Sequence, residues 1–141
     1  MTIKQISVFV ENKTGRMCEI TEILAKNNVD IRALSIADTT DYGVLRMIVS
    51  DPDAAVSVLR DAGHTVSGTE VLGISIPDTP GGFAKAIRVL TEKGINLEYA
   101  YAFITPSVGK AYVIIRVEDN DGAAKALAGS GVELIGQEDI F

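Results

Sequence analysis

The chain has 141 residues, which is enough for one ordinary domain or two small ones. Apolar residues make up 47% of the sequence, so the chain can bury a core and a disordered protein is excluded. It carries 13 basic and 19 acidic residues, and the formal net charge is −6. Binding to nucleic acid or to an anionic membrane surface requires clustered positive charge, which this sequence lacks. We therefore expect a globular protein with no nucleic acid and no membrane as partner.

The sequence also indicates the compartment. Cys18 is the single cysteine and has no partner for an internal disulfide, as is typical of the reducing cytoplasm. Residues 1–12 alternate between apolar and polar and reach a charged residue too early for a signal peptide. No stretch approaches the roughly 18 apolar residues of a membrane span. The sequence predicts a cytoplasmic protein.

The first half of the chain shows alternating strand and helix patterns. The segment ISVFV has the period of two residues that is typical of a strand, and Asp51 followed by Pro52 is typical of a helix start. The predicted elements are a strand at 6–10, a helix at 16–27, strands at 29–38 and 42–50 around the polar turn TTD (39–41), a helix from Pro52 to Gly63, and a short strand at 64–67.

The second half repeats the first. Residues 8–49 align with residues 74–115 without a gap, which indicates an old duplication and predicts domains at 1–68 and 69–141. The elements predicted for the second half are a strand at 71–76, a helix at 82–93, strands at 95–105 and 109–118, a helix at 121–129 and a strand at 132–136. The order β-α-β-β-α-β in each half predicts an α+β fold of two tandem ferredoxin-like units, each an antiparallel sheet with both helices on one face.

Two segments carry a resemblance to a known family. Both VENKTGRMCEITEILAKNNVDI (10–31) and IPDTPGGFAKAIRVLTEKGINL (76–97) resemble the ACT domain, in which a strand, a glycine-containing loop and a helix follow one another. ACT domains are small modules that bind amino acids and regulate metabolic enzymes. The two units span nearly the whole chain, which is thus similar to tandem ACT proteins without a catalytic domain.

The loop between the first strand and the first helix of each unit favours binding of a free amino acid. The first turn of a helix exposes unpaired N–H groups and the positive end of the helix dipole, which attract a carboxylate. Gly15, and Gly81 with Gly82, allow a ligand to approach the backbone closely. Asn12 and Asp78 can accept hydrogen bonds from an ammonium group. Alternatively, Asn12, Thr14 and Asp78 only cap turns, as such residues often do.

The resemblance also implies a contribution from a neighbouring domain. In the family, paired domains often join their sheets through the second strands, so that Asp30 and Asn96 would contact the ligand. One site then combines the loop 12–16 with Asn96, and the other combines the loop 78–83 with Asp30. The complete set of expected ligand-binding residues is Asn12, Lys13, Thr14, Gly15, Arg16, Asp30, Asp78, Thr79, Gly81, Gly82, Phe83, Asn96 and Tyr99.

No catalytic constellation is evident in the sequence. His64, the only histidine, follows Gly63 at a turn where a surface position is expected, and Cys18 has no base nearby in the sequence. We therefore expect a regulatory protein that is not an enzyme and uses no metal and no cofactor. Two alternatives remain: a regulatory subunit of a separate enzyme, such as acetolactate synthase, and a small enzyme on a ferredoxin-like scaffold.

A second copy of the chain is also an expected partner. Because both helices of such a unit cover one face of the sheet, apolar residues on the other face favour self-association, and we expect a homodimer. The residues expected on that face are Phe9, Tyr99, Tyr101, Phe103, Tyr112 and Ile114.

Overall fold

The computed structural model describes residues 1–38, 41–103 and 107–141. The elements are β1 (Ile3–Glu11), α1 (Arg16–Lys26), β2 (Ile31–Asp38), β3 (Tyr42–Val49), α2 (Pro52–Asp61), β4 (Val66–Pro77), α3 (Gly82–Glu92), β5 (Tyr99–Phe103), β6 (Lys110–Arg116), α4 (Asn120–Gly129), β7 (Glu133–Ile135) and α5 (Gln137–Ile140). The chain forms two compact units. The first unit is Lys4–Thr69, and the second unit is Glu70–Phe141 together with Met1–Ile3.

The first unit is an antiparallel sheet of order β2-β3-β1-β4 with α1 and α2 on one face. Alternate residues of β1 and β3 point toward the helices. Among them, Val8 pairs with Leu45 across the two strands, and Ile6 pairs with Met47. The buried core of this unit consists of Ile6, Val8, Val10, Ile20, Leu24, Val29, Leu45, Met47, Val49, Ala55, Leu59 and Val66. Strand β2 lies at the edge of the sheet.

The second unit repeats this arrangement as a sheet of order β5-β6-β4-β7 with α3 and α4 on one face. Its core consists of Leu72, Ile74, Ile76, Ala86, Leu90, Val113, Ile115, Val117, Ala123 and Leu127. Strand β5 lies at the edge, as β2 does in the first unit. The two tandem ferredoxin-like units predicted from the repeat are thus confirmed.

The helices of each unit begin in two different ways. Asp51 caps α2 by accepting a hydrogen bond from Ala54 N–H at 3.1 Å, as predicted, and Asp119 caps α4 through Gly122 N–H at 3.0 Å. Helices α1 and α3 each follow a left-handed glycine instead, and no side chain caps them. Within the described part of the chain, no helix has both the length and the apolar composition needed to cross a membrane.

Several element boundaries differ from the prediction. The separate strands expected at 64–67 and 71–76 form one strand, β4, because the polar residues between them continue the extended backbone. Strand β5 begins at Tyr99 rather than at 95, because Ile95 N–H still bonds to Leu90 O, at 2.9 Å, and belongs to the end of α3. The short helix α5 was not expected. Residues 39 and 40 of the TTD turn, and residues 104 and 105 at the end of a predicted strand, lie outside the described residues.

The sheet face opposite the helices is only partly exposed. In β5, Ala100 packs with the core of the second unit, so Tyr101 lies on the other face, as expected. Tyr101 and its neighbour Ile114 are nevertheless buried, whereas Phe9 in the first unit is 52% exposed. In the second unit the exposed apolar surface is therefore smaller than the sequence indicates, and the homodimer stays a prediction.

Candidate functional site

The first loop connects β1 to α1 and is fixed by backbone hydrogen bonds. Asn12 N–H donates to Asp41 O at 2.9 Å, which ties the loop to the residues just before β3. Lys13 N–H donates to Glu11 O at 2.8 Å, and Arg16 N–H donates to Lys13 O at 3.3 Å. The loop thus has a defined backbone conformation, and its side chains from Asn12 to Thr14 are exposed.

The second loop connects β4 to α3 and is built in the same way. Asp78 N–H donates to Gly109 O at 3.0 Å, just before β6, and Gly82 N–H donates to Thr79 O at 3.0 Å. Phe83, in the first turn of α3, is 39% exposed. The duplication has therefore preserved the backbone of this loop, although its side chains differ between the units.

The backbone conformation of the loops explains why glycine occupies these positions. Gly15 and Gly81 have φ angles of +93° and +87°, a left-handed conformation that residues with a Cβ atom rarely adopt, and a Cβ there would meet no atom within 4 Å. At Gly82 a Cβ would lie 2.3 Å from Pro77 O. Left-handed geometry accounts for Gly15 and Gly81, and the carbonyl group of Pro77 accounts for Gly82.

Each of these loops leaves two backbone donors available at the helix start. Glu19 N–H donates to Gly15 O at 2.9 Å and begins the hydrogen-bond ladder of α1. Met17 and Cys18 precede it, and no acceptor for their N–H groups is found among the described residues. Phe83 and Ala84 occupy the same position in α3, since the ladder there begins with Lys85 N–H. Two adjacent N–H groups at a helix start can bind a carboxylate.

The alternative in which the polar loop residues only cap turns stays open. Asp51 and Asp119 show what a cap looks like in this chain, because each accepts from an N–H three residues later. The residues that directly precede α1 and α3 are Gly15 and Gly81, which have no side chain with which to cap the helix.

The charges around the first loop are paired. Lys13 Nζ lies 3.0 Å from Glu11 Oε2, and this hydrogen bond and charge lower the pKa of the Glu11 carboxyl. Cys18, in the first turn of α1, bonds to Glu22 at 3.3 Å, and this bond together with the negative charge raises the pKa of the thiol. A raised pKa makes the thiol less nucleophilic at neutral pH.

The residues expected at the starts of the second strands have surroundings of their own. Asp30 N–H donates to Ser50 Oγ at 2.9 Å, and the Asp30 carboxylate lies 3.3 Å from Arg32 Nε. Asn96 is exposed and lines a depression with acidic neighbours, among them Glu98. Tyr99 is half-buried at the start of β5.

Within one unit, the loop and the strand start do not meet. Helix α1 has 11 residues and separates the loop 12–16 from Asp30, and α3 likewise separates the loop 78–83 from Asn96. An 11-residue helix is about 16 Å long, so the two groups lie at opposite ends of it. The assignment of Asn96 to the first loop and of Asp30 to the second stays a prediction.

A feature that the sequence did not indicate lies beside the first loop. A cavity of about 300 Å³ opens between the end of β1, the first turns of α1 and the turn before β4. His64, expected at the surface, lines this cavity; its side chain is only 12% exposed, and its Nε2 lies 3.2 Å from Glu19 Oε1. Glu19 also bonds to Arg16 NH1 at 3.3 Å. Because His64 and Glu19 are 45 residues apart in the sequence, no short motif predicts their contact.

Within residues 1–38, 41–103 and 107–141, no three His, Cys, Asp or Glu side chains cluster closely enough to hold a metal ion.

Comparisons with known proteins agree with the fold. The family model for an ACT domain pair matches residues 1–141. The structure of protein BT0572 from Bacteroides thetaiotaomicron has 43% sequence identity and a TM-score of 0.93, covering 99% of this chain and 96% of that one. The ligand-free regulatory subunit of aspartate kinase from Thermus thermophilus has 18% identity and a TM-score of 0.67, covering 90% and 91%. A comparison with curated protein sequences finds no match. The chain therefore belongs to the family of ACT domain pairs.

Proposed function

We propose that this ACT domain pair binds a free amino acid at its two strand-to-helix loops and acts as a non-catalytic regulatory protein of the cytoplasm. One observation carries the proposal. In each unit one helix is capped by an aspartate, whereas the helix that follows the loop is uncapped and presents two adjacent N–H groups. The same uncapped helix start after the same loop in both copies of the duplicated fold supports a shared type of ligand.

The donors and acceptors of each loop match the two ends of an amino acid. In the first loop, the ligand carboxylate would accept from Met17 and Cys18 N–H, and Asn12 would accept from the ammonium group. Hydrogen bonds to a charged group contribute about 1.5–3 kcal/mol each, so a few of them suffice for millimolar to micromolar affinity. The helix dipole adds to the attraction for the carboxylate.

The two loops are not chemically equivalent. The first has the neutral amide of Asn12 beside the basic Lys13 and Arg16, whereas the second has the carboxylate of Asp78 beside the exposed ring of Phe83. A carboxylate accepts a stronger hydrogen bond from an ammonium group than a neutral amide oxygen does. We therefore expect the second loop to depend more strongly on the ligand's ammonium end.

A role as the detachable subunit of a separate enzyme is the second candidate. Regulatory subunits of aspartate kinase share the fold of this chain at 18% identity, a similarity that supports the architecture alone. Co-purification of a metabolic enzyme with the tagged chain, strengthened or weakened by the bound amino acid, would favour this candidate. Sedimentation at micromolar concentration tests the proposed homodimer, and a monomer with and without ligand would contradict it.

Calorimetry with loop variants tests the proposal. A thermal-shift screen of the twenty amino acids first identifies the ligand, because a molecule that binds the folded state raises the melting temperature. Asp78→Asn should then weaken binding at the second loop about tenfold and leave the first nearly unchanged, and Asn12→Ala should do the reverse. Asp121→Asn is the matched control, since Asp121 is an exposed carboxylate in the first turn of the capped helix α4.

Each of the two substitutions should weaken binding at its own loop and leave binding at the other loop nearly unchanged. Binding that survives both substitutions unchanged would mean that the loops are structural turns and that the ligand, if any, binds elsewhere. Equal weakening by Asp78→Asn and Asp121→Asn would mean that the change in net charge, and not a contact of Asp78 with the ligand, weakens binding.

A further inference from the structure

The cavity beside the first loop lies wholly within the first unit and is separate from the open N–H groups of α1. Met17 and Cys18 do not line it. The cavity is lined by Phe9, Val10, Glu11, Arg16, Glu19, Ile20, Tyr42, Ala62, Gly63, His64 and Thr65. Its volume of about 300 Å³ is at the lower end of the range for ligand pockets, which suits a small molecule rather than a nucleotide or a peptide.

The polar side of the cavity has one guanidinium, two carboxylates and an imidazole. Both oxygens of Glu19 contact neighbouring side chains, because Oε2 accepts from Arg16 and Oε1 lies 3.2 Å from His64 Nε2. The Glu11 carboxylate is paired with Lys13. The guanidinium of Arg16 has five N–H donors and uses one of them, at 3.3 Å, in the described structure. The four remaining N–H donors of Arg16 can bind an anion.

The backbone of β1 adds another donor. Phe9 N–H donates to Thr65 O at 3.0 Å, on the side of β1 that faces away from β3. Because N–H groups alternate in direction along an antiparallel strand, Glu11 N–H points to the same side, beyond the start of β4. No acceptor for Glu11 N–H is found there in the described part of the chain. This N–H therefore points toward the cavity.

Two exposed aromatic residues, Phe9 and Tyr42, also line the cavity. The rings of Phe9 and Tyr42 lie 5.3 Å apart between centroids, and the two residues are 52% and 48% exposed. Exposed aromatic residues beside a charged group are typical of a binding surface, because they offer apolar contact area at a small cost in side-chain entropy.

The second unit shows that the fold does not require this set of residues. In the alignment of the two halves, Arg16 corresponds to Gly82 and Glu19 to Lys85, and His64 corresponds to Val132. The second unit folds with the same topology without these residues. The group formed by Arg16, Glu19 and His64 is thus a property of the first unit, and stability of the fold does not explain it.

We infer that this cavity is a second ligand site, specific to the first unit, that binds a small carboxylate with an apolar body. The carboxylate accepts from the guanidinium of Arg16 and from Glu11 N–H, and the apolar body lies on the rings of Phe9 and Tyr42. Glu19 and His64 hold the guanidinium in position. An ammonium group is not needed, which distinguishes this ligand from the amino acid of the loop sites.

The test is an NMR titration of the ¹⁵N-labelled chain with 3-phenylpropionate, which has a carboxylate and a ring but no ammonium group. The amides of Glu11, Gly63 and Thr65 should shift with saturation, and those of the second unit should not. Phenylethylamine, in which an ammonium replaces the carboxylate, should leave all of them unchanged.

Variants of the cavity residues test whether 3-phenylpropionate binds in the cavity. Arg16→Gln and Phe9→Ala should each weaken 3-phenylpropionate about tenfold or more. Leu34→Ala is the control for Phe9→Ala, since Leu34 is 49% exposed in the same unit and does not line the cavity. Arg88→Gln is the control for Arg16→Gln. Amide spectra of the free variants show directly that each is folded, so a lost titration reports the site.

Three results would overturn the inference: no shift with the wild-type chain, equal weakening by the control variants, or shifts at the helix starts of both units in place of the cavity. The last result would assign 3-phenylpropionate to the loop sites.

Discussion

A single methyl group added at Gly82 is expected to destabilise the second unit by about 1–3 kcal/mol, the usual range for overpacking. The Cβ of Gly82→Ala would lie 2.3 Å from Pro77 O, whereas contacts of real Cβ atoms are essentially never shorter than 3.0 Å. The obstacle is a backbone carbonyl and not the end of a flexible side chain, so either the loop or the start of α3 must move.

The duplicated fold supplies the control. Arg16 occupies the corresponding position in the first unit, so the first loop accommodates a side chain there. Arg16→Ala removes only an ion pair with Glu19 between side chains that are each at least 40% exposed, which costs about 0–1 kcal/mol. Gly82→Ala should therefore be clearly more destabilising than Arg16→Ala, although it removes no interaction.

Urea unfolding followed by circular dichroism measures the difference. With an m-value of about 1–3 kcal/mol per molar urea, the loss expected for Gly82→Ala lowers the midpoint by roughly 1 M. A midpoint that matches the wild type would mean that the second loop accommodates a side chain as the first does, and that close approach of Pro77 does not explain the glycine.

Three further predictions concern other parts of the chain. Leu90→Ala should lower the free energy of unfolding by about 2–5 kcal/mol in the same assay, because Leu90 is 1% exposed in the core of the second unit. Cys18 should react with iodoacetamide more slowly than free cysteine, and Glu22→Gln should speed the reaction, because Glu22 raises the pKa of the thiol. The pKa of Glu11 is lowered by Lys13, so the ion pair stabilises the fold above the ordinary carboxyl pKa and this contribution is lost as the pH falls through the lowered value. Glu11→Gln should therefore differ in stability from the wild type at neutral pH and converge with it in acid.

Much of the fold could be predicted because local signals and the repeat agreed. Apolar residues at strand and helix spacing identified the core-facing sides, and Asp51 with Pro52 identified the start of α2 correctly. The merging of two strands into β4 was missed, because the polar residues between them resemble a turn in sequence. The late start of β5 depends on the bond from Ile95 to Leu90, which no pattern of side chains reveals.

The candidate site was predicted less completely. The loops and the positions of their glycines were predicted, since glycine recurs at the same place in both halves, whereas the left-handed conformation of Gly15 and Gly81 was not. The open N–H groups follow from the absence of a cap, which depends on side-chain geometry. The cavity of the first unit depends on His64 meeting Glu19, a contact between distant parts of the chain. A comparison of the two halves position by position would have pointed to it, since the second half has Lys85 and Val132 there.

An NMR titration with the amino acid found in the thermal-shift screen tests the central claim most directly. We expect the largest shifts on binding at the amides of Met17 and Cys18 and at those of Phe83 and Ala84. The first-turn amides of the capped helices α2 and α4 should remain unchanged. Binding of the amino acid without any shift at the starts of α1 and α3, or with equal shifts at all four helix starts, would contradict the claim that the uncapped helices hold the ligand's carboxylate.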